Sequence, residues 1–166
     1  YRHQKNASVL IGFHEGAHLL SRLPLLNQSL LIGDTLVAVE EVEIRFTSEK
    51  VGAAQRLRRY FFVTPWIPFN QENYESYKKM TGVEQMYERD RMTVANILMA
   101  LRGLQVEFDQ RLFAAFQLKR TVSCRYKDQK LLGLLGTLVT NVAMPDDLAI
   151  GRAVSHGYGW LKKIGA

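Results

Sequence analysis

The chain has 166 residues, 47% of them hydrophobic and 23% charged, with 22 Lys+Arg against 16 Asp+Glu and a net charge of +6. This composition excludes an intrinsically disordered chain, and its one cysteine, Cys124, excludes an intrachain disulfide scaffold. No apolar run reaches the roughly 18 residues of a bilayer span, and no signal-peptide layout opens the chain, so a soluble, cytoplasmic protein without a membrane partner is expected.

The basic balance favours a polyanionic partner, with nucleic acid ahead of an anionic membrane surface. The sequence starts at Tyr1 without an initiator Met, which fits the tail of a longer product.

A short strand is expected at Tyr1 to Lys5 and an apolar, buried strand at Ser8 to Phe13. Glu15 to Leu23 carries Ala17, Leu19, Leu20 and Leu23 at helical spacing and stops at Pro24. Asp34 to Phe46 largely alternates and reads as one strand bulged at Glu40-Glu41. Small and polar residues from Ser48 to Gln55 mark a boundary between halves.

Beyond it, Arg58 to Val63 is an aromatic, β-branched strand closed by Pro65. Asn70 is an N-cap for a polar helix, in which Glu72 and Glu75 suit the first turns. A long amphipathic helix runs from about Val83 to Leu104, with Met86, Val94, Ile97, Leu98, Leu101 and Leu104 on one stripe. Leu112 to Tyr126 and Lys130 to Ala143 form a long hairpin, Pro145 to Ala149 a short helix, and Gly157 to Ile164 a last strand. The order β-α-β-β-(short α)-β is ferredoxin-like, and the first half reads as the same unit without its opening strand and helix. The expected fold class is therefore α+β, with tandem ferredoxin-like domains. Residues 1–50 would be the partial first domain, and residues 56–166 the second.

Three groups of residues carry candidate chemistry. His14-Glu15-Gly16-Ala17-His18 matches H-E-x-x-H, a zinc-holding spacing when both imidazoles share one helix face. Gly16 weakens that helix, and Leu20, Ser21 and Arg22 stand where a zinc-protease continuation needs Gly and His. Glu40 or Glu41 would have to complete the ligand set. Two polar residues at a helix start is the plainer reading, and no metal is assigned.

The second group is the loop Gly151-Arg-Ala-Val-Ser-His-Gly-Tyr-Gly159. Three glycines in nine residues allow close backbone approach and an amide nest for an anion, with Arg152, Ser155, His156 and Tyr158 beside it and Lys162-Lys163 downstream. It lacks the Lys-Ser/Thr of a Walker loop and opens no helix, so it matches neither nucleotide fingerprint. The third group is Lys119, Arg120, Arg125, Lys127 and Lys130 around Tyr126, a hairpin able to neutralise phosphates and stack a base. A solvated hairpin tip gives the same composition. Arg56, Arg58 and Arg59 form a further basic cluster.

Val63-Thr-Pro-Trp-Ile-Pro-Phe-Asn-Gln-Glu-Asn-Tyr74 resembles a signature of CRISPR-associated endoribonucleases that cut repeat RNA into guide RNAs, most closely the type I-B-like subgroup. Gly151 to Gly159 resembles the C-terminal loop of the wider repeat-associated superfamily. Ile11-Gly-Phe-His-Glu-Gly16 resembles its apolar strand and Asn-Glu-Gly turn, with His14 in place of the Asn. The resemblance implies two ferredoxin-like domains and RNA on a basic face near the glycine loop. It also implies metal-independent, cofactor-free transesterification that leaves a 2′,3′-cyclic phosphate and a 5′-OH.

The family's usual histidine lies in a segment this chain lacks, so Tyr1 and then His3 are the local catalytic candidates. Gly151, Arg152, Ser155, His156, Gly157, Tyr158, Gly159, Lys162, Lys119, Arg120, Arg125 and Lys127 are the candidates for binding RNA. CRISPR repeat RNA is the expected partner, with other CRISPR complex subunits as further partners and the protein a monomer or homodimer. A non-catalytic RNA-binding subunit of an interference complex is the alternative, and a zinc hydrolase using His14 and His18 is a third reading.

Overall fold

The computed structural model describes residues 2–4, 7–32, 34–126 and 129–165, with side chains from residue 8 onward. Its elements are β1 (Arg2–Gln4), β2 (Ala7–Val9), α1 (Glu15–Ser21), β3 (Ser29–Ile32), β4 (Thr35–Ala38), β5 (Gly52–Phe62), α2 (Gln71–Lys78), α3 (Gly82–Gly103), β6 (Ala114–Tyr126), β7 (Gln129–Ala143) and β8 (Leu161–Lys163), with a 3-10 turn at Val154–His156. From β5 onward the strands form one antiparallel sheet in the order β6-β7-β5-β8. Its first and third strands, β5 and β7, lie in the middle, which is the ferredoxin-like arrangement.

Local chemistry sets the helices. The Asn70 side chain accepts a 2.7 Å bond from the Asn73 amide and starts α2. Thr81 and Glu84 close a reciprocal capping box at the start of α3, where the Thr81 amide donates to Glu84 Oε2 at 2.7 Å. Ile97 and Leu101 of α3 and its C-cap Leu104 are buried, as are Thr93 and Asn96, whereas Met86 is exposed although it shares the apolar spacing. The inward face is partly polar because Asn96 Oδ1 accepts the Trp66 indole N–H at 2.9 Å.

Against this helix the sheet packs Tyr60, Phe62, Trp66, Phe116, Leu134, Leu138, Val142 and Leu161. Phe62 stacks on Trp66 with centroids 5.5 Å apart, and Phe116 meets Trp66 edge-on at 5.0 Å. Each such burial contributes about 1.5–3 kcal/mol before the entropy of ordering is subtracted.

Several expected boundaries move. β5 begins at Gly52, six residues before Arg58, because Gly52 and Ala53 already pair with Ala143 and Val142. The expected helix at 145–149 is absent. There the Asp147 amide donates to the Leu161 carbonyl, Leu161 to Leu148, and Ala149 bridges Trp160, so backbone groups that a helix would pair internally go to the chain ahead of β8. That strand proper is confined to Leu161–Lys163 rather than starting at Gly157.

In the first half, the strand expected over 8–13 is Ala7–Val9, paired with β1. The single strand expected over 34–46 is instead the second arm of a hairpin: β4 ends at Ala38 and pairs with β3, Ile32 facing Thr35. The two arms satisfy each other's backbone groups locally, and residues 40–51 join no strand.

Candidate nucleic-acid interface

The Thr64–Ile67 segment holds the glycine loop from below. Thr64 Oγ1 accepts the Trp160 amide at 3.0 Å, the Pro65 carbonyl accepts the Gly159 amide at 2.9 Å, and the Ile67 carbonyl accepts the Arg152 amide at 3.0 Å. Trp66 packs under Gly151, where a Cβ would sit 2.6 Å from the indole Cδ1 and the backbone has φ +99°. Gly159, at φ +75°, lies so close to the Ile150 carbonyl that a Cβ would collide with it. Only glycine fits either position. Ile150 N donates to the Gly159 carbonyl at 3.0 Å and closes the loop's neck.

Above that neck the loop is open. Arg152, Val154, Ser155 and His156 are exposed, and the Val154–His156 turn stands between left-handed Ala153 and Gly157. The amides of Arg152, His156, Gly157 and Gly159 are bonded within the protein. Those of Ala153, Val154 and Ser155 donate no bond among the described residues, leaving a short run of N–H groups for an anion.

The hairpin reaches this loop because β6 is bulged. Leu118 faces Gly136 but Arg120 faces Leu135, so Lys119 is an extra residue. The extra residue reverses the alternation. Ala114 and Phe116 point to the helices, whereas Arg120, Val122, Cys124 and Tyr126 project from the opposite face. There a second small core forms from Ile67, Cys124 and Leu131, with Val122, Tyr126 and Tyr158 against it. Gly133 leaves room on the same face for the Pro65 ring.

Two contacts lock loop to hairpin. Tyr158 Oη donates to the Arg125 carbonyl at 2.9 Å. The His156 ring meets Tyr126 edge-on at 4.8 Å, with Ser155 Oγ 3.1 Å from His156 Nδ1. Burial pushes the Tyr158 phenol above its ordinary value and keeps it a neutral donor. Burial likewise pushes the Cys124 thiol up, which suits a packing role.

The structure thus brings together Gly151, Arg152, Ser155, His156, Gly157, Tyr158, Gly159 and Arg125. Lys119 and Arg120 lie further down the same hairpin. Among the described residues, Arg152, Arg125, Arg120, Lys119 and Lys130 have no carboxylate partner, so their charge is available. Lys162 differs: its ammonium lies 2.8 Å from Asp147 and 3.8 Å from Asp146.

Tyr1 and Lys127 fall outside the described residues. His3 lies in β1, opposite Ser8. His14 is the N-cap of α1 at φ 50°, outside the helix that carries His18, and the described residues contain no group of three His, Cys, Asp or Glu able to hold a metal.

Sequence reasoning missed the Thr64–Ile67 cradle as a functional support. Its signal was present in the Thr-Pro-Trp block, but partners about 90 residues away are visible only in the fold. Trp160 is also buried, and its indole N–H has no partner among the described residues.

A family model described as the Cas6b C-terminal domain matches residues 52–164. An uncharacterized protein of Methanocaldococcus jannaschii is 32% identical over 118 residues, 70% of this chain and 79% of that protein. Among solved structures, a crystal structure of Cas6b superposes with a TM-score of 0.67 at 30% identity, over 70% of this chain and 60% of that one. One titled as the CRISPR RNA processing endoribonuclease Cas6b gives 0.66 at 30% identity, over 70% and 59%. The match therefore spans about 60% of the length of the solved proteins. With its sheet order, its glycine loop and a family match over most of its length, the chain belongs to the Cas6b C-terminal domain family.

Proposed function

We propose that this chain binds CRISPR repeat RNA at the glycine loop and takes part in cutting it to guide RNA. The observation that carries this reading is the loop with exposed Arg152, Val154, Ser155 and His156, docked on a hairpin where Lys119, Arg120, Arg125 and Lys130 have no carboxylate partner among the described residues, in a chain similar to a CRISPR RNA processing endoribonuclease. Free amides and nearby guanidinium groups suit a phosphate, and cations placed there would stabilise the charge that builds on a phosphorane.

The chemistry we assign is transesterification. A base takes the proton of a ribose 2′-OH, and the 2′-oxygen bonds to the adjacent phosphorus. The bond from phosphorus to the 5′-oxygen breaks, and an acid protonates that oxygen. The products are a 2′,3′-cyclic phosphate and a 5′-OH, with no oxidant or water consumed. Each well-placed proton-transfer group is worth about 10²–10⁴ in rate. Tyr1 and His3 are the groups proposed for these steps, and residues 1–50 are assigned to a first ferredoxin-like unit beside the second.

Incubated with its repeat RNA in EDTA, the full chain is expected to give fragments whose mass carries a cyclic phosphate. Cleavage that needs added metal would overturn this chemistry, and absence of RNA binding at low salt would overturn the interface. A second reading is supported by the loop itself, where the contacts of His156 among the described residues are the Ser155 hydroxyl and the edge of the Tyr126 ring. On that reading the chain binds RNA without cutting it. Binding with intact RNA in every preparation would establish it.

A further inference from the structure

The sheet has a second face, and it carries an aromatic ring in the open. α3 and the core cover the side that holds Tyr60 and Phe62, while Phe61 points the other way and is 41% exposed. The registers place Gln117, Thr137, Phe61 and Lys162 in one row across β6, β7, β5 and β8. In the next row Ala115, Val139 and Arg59 are neighbours. In the row toward the loop, the Val63 amide donates to the Trp160 carbonyl at 2.8 Å. Phe61 therefore stands two residues, about 7 Å of strand, from the residue that leaves the glycine loop.

Charge follows the same face. The bulge in β6 sends Arg120 to this side, opposite Leu135. Arg59 and Arg120 have no carboxylate partner among the described residues, while Asp146 and Asp147 lie against Lys162 and offset its charge. A large apolar ring held in water at the centre of a sheet, between two unpaired guanidinium groups and continuous with a phosphate-binding loop, suits a flat, apolar-faced, anionic ligand. A nucleotide base on its sugar-phosphate chain has those properties, because every base presents a π-face whatever its sequence.

We propose that the open sheet face is a second RNA subsite, at which a base of single-stranded RNA stacks on Phe61 while Arg59 and Arg120 take the flanking phosphates. The proposal rests on the glycine loop being the first RNA site and extends it along the strand.

The test uses the full chain and a single-stranded oligoribonucleotide carrying 2-aminopurine, titrated at one fixed salt concentration. Phe61→Leu keeps the apolar bulk and removes the π-face. It is expected to weaken binding about 5- to 150-fold, the worth of one base–aromatic stack, and to abolish the quenching of 2-aminopurine. Phe61→Trp is expected to restore both.

If the unsubstituted chain binds no RNA, the glycine-loop reading fails and this proposal falls with it. If that chain binds and Phe61→Leu binds equally well with unchanged quenching, only the present proposal is overturned. Ultraviolet crosslinking of the unsubstituted chain gives an answer independent of any variant: a crosslink at Phe61 supports the subsite, and crosslinks confined to the loop and hairpin overturn it. A Phe61→Leu chain that binds RNA normally but loses association with another protein assigns the face to that protein and equally overturns the proposal.

Discussion

Arg152 illustrates how one residue is divided between structure and partner. Its backbone amide is tied to the Ile67 carbonyl and helps close the loop, while its side chain is exposed and free of carboxylates among the described residues. Replacing the side chain should therefore leave the loop intact and remove one phosphate contact. Arg152→Ala is expected to lower affinity for repeat RNA of any sequence. It should also make the slope of log K against log salt shallower by about 0.7, the value for one phosphate on a single strand. A salt titration of both proteins checks this, and an unchanged slope would remove Arg152 from the interface. Lys162 supplies the contrast: the same charge, three residues past the loop, is already offset by Asp147.

Among the elements, α3 and β6 show two ways in which a sequence specifies its own geometry. α3 begins where Thr81 and Glu84 exchange bonds with each other's backbone. The Thr81 amide, bonded to the Glu84 carboxylate, holds that carboxyl below its ordinary value. Thr81→Ala should lower stability by about 1 kcal/mol, the usual cost of losing such a cap, measurable by urea unfolding. In β6 the decisive feature is the extra residue at Lys119. The sequence reading placed this strand over Leu112 to Tyr126 as one arm of a hairpin, without the reversal of faces halfway along. Consequently the sequence located Arg120 and Tyr126 in the right strand while leaving open which side of the sheet they serve. Asn70, by contrast, was legible as a cap because the bond it accepts is three residues away.

For the molecule as a whole, the sheet is tied together at Tyr60, a residue with no exposed surface. Its hydroxyl accepts the Met144 amide at 2.8 Å and lies 3.3 Å from the Val142 and Met144 carbonyls, fixing the end of β7 to the C-terminal part of β5. Burial pushes this phenol above its ordinary value, with the Met144 backbone bond opposing. In the unfolded chain it titrates near 10. Between about pH 10 and the higher native value, the unfolded state therefore binds fewer protons, and stability falls as pH rises. Tyr60→Phe should cost about 1–3 kcal/mol at neutral pH by orphaning the Met144 amide, and should lose less stability than the parent between neutral and strongly alkaline pH. Urea unfolding at the two pH values provides the comparison. An equal alkaline loss in both proteins would show that another group governs it.

What the sequence determined by itself is whatever depends on near neighbours: the caps at Asn70 and Thr81, the long helix, the two arms of the basic hairpin and the glycine punctuation of the loop. Strand order in the second half followed as well, since β-α-β-β-β with one long hairpin leaves few ways to form a sheet. The tertiary structure alone decided what the loop rests on, because the Thr64–Ile67 cradle and Gly159–Trp160 are joined by backbone bonds across about 90 residues of chain. It alone decided that Lys162 is paired, that residues 145–149 spend their backbone bonds on the chain at β8, and that Phe61 faces solvent. Each of these depends on which distant group lies within about 3 Å, a distance that folding sets and local residue order does not encode.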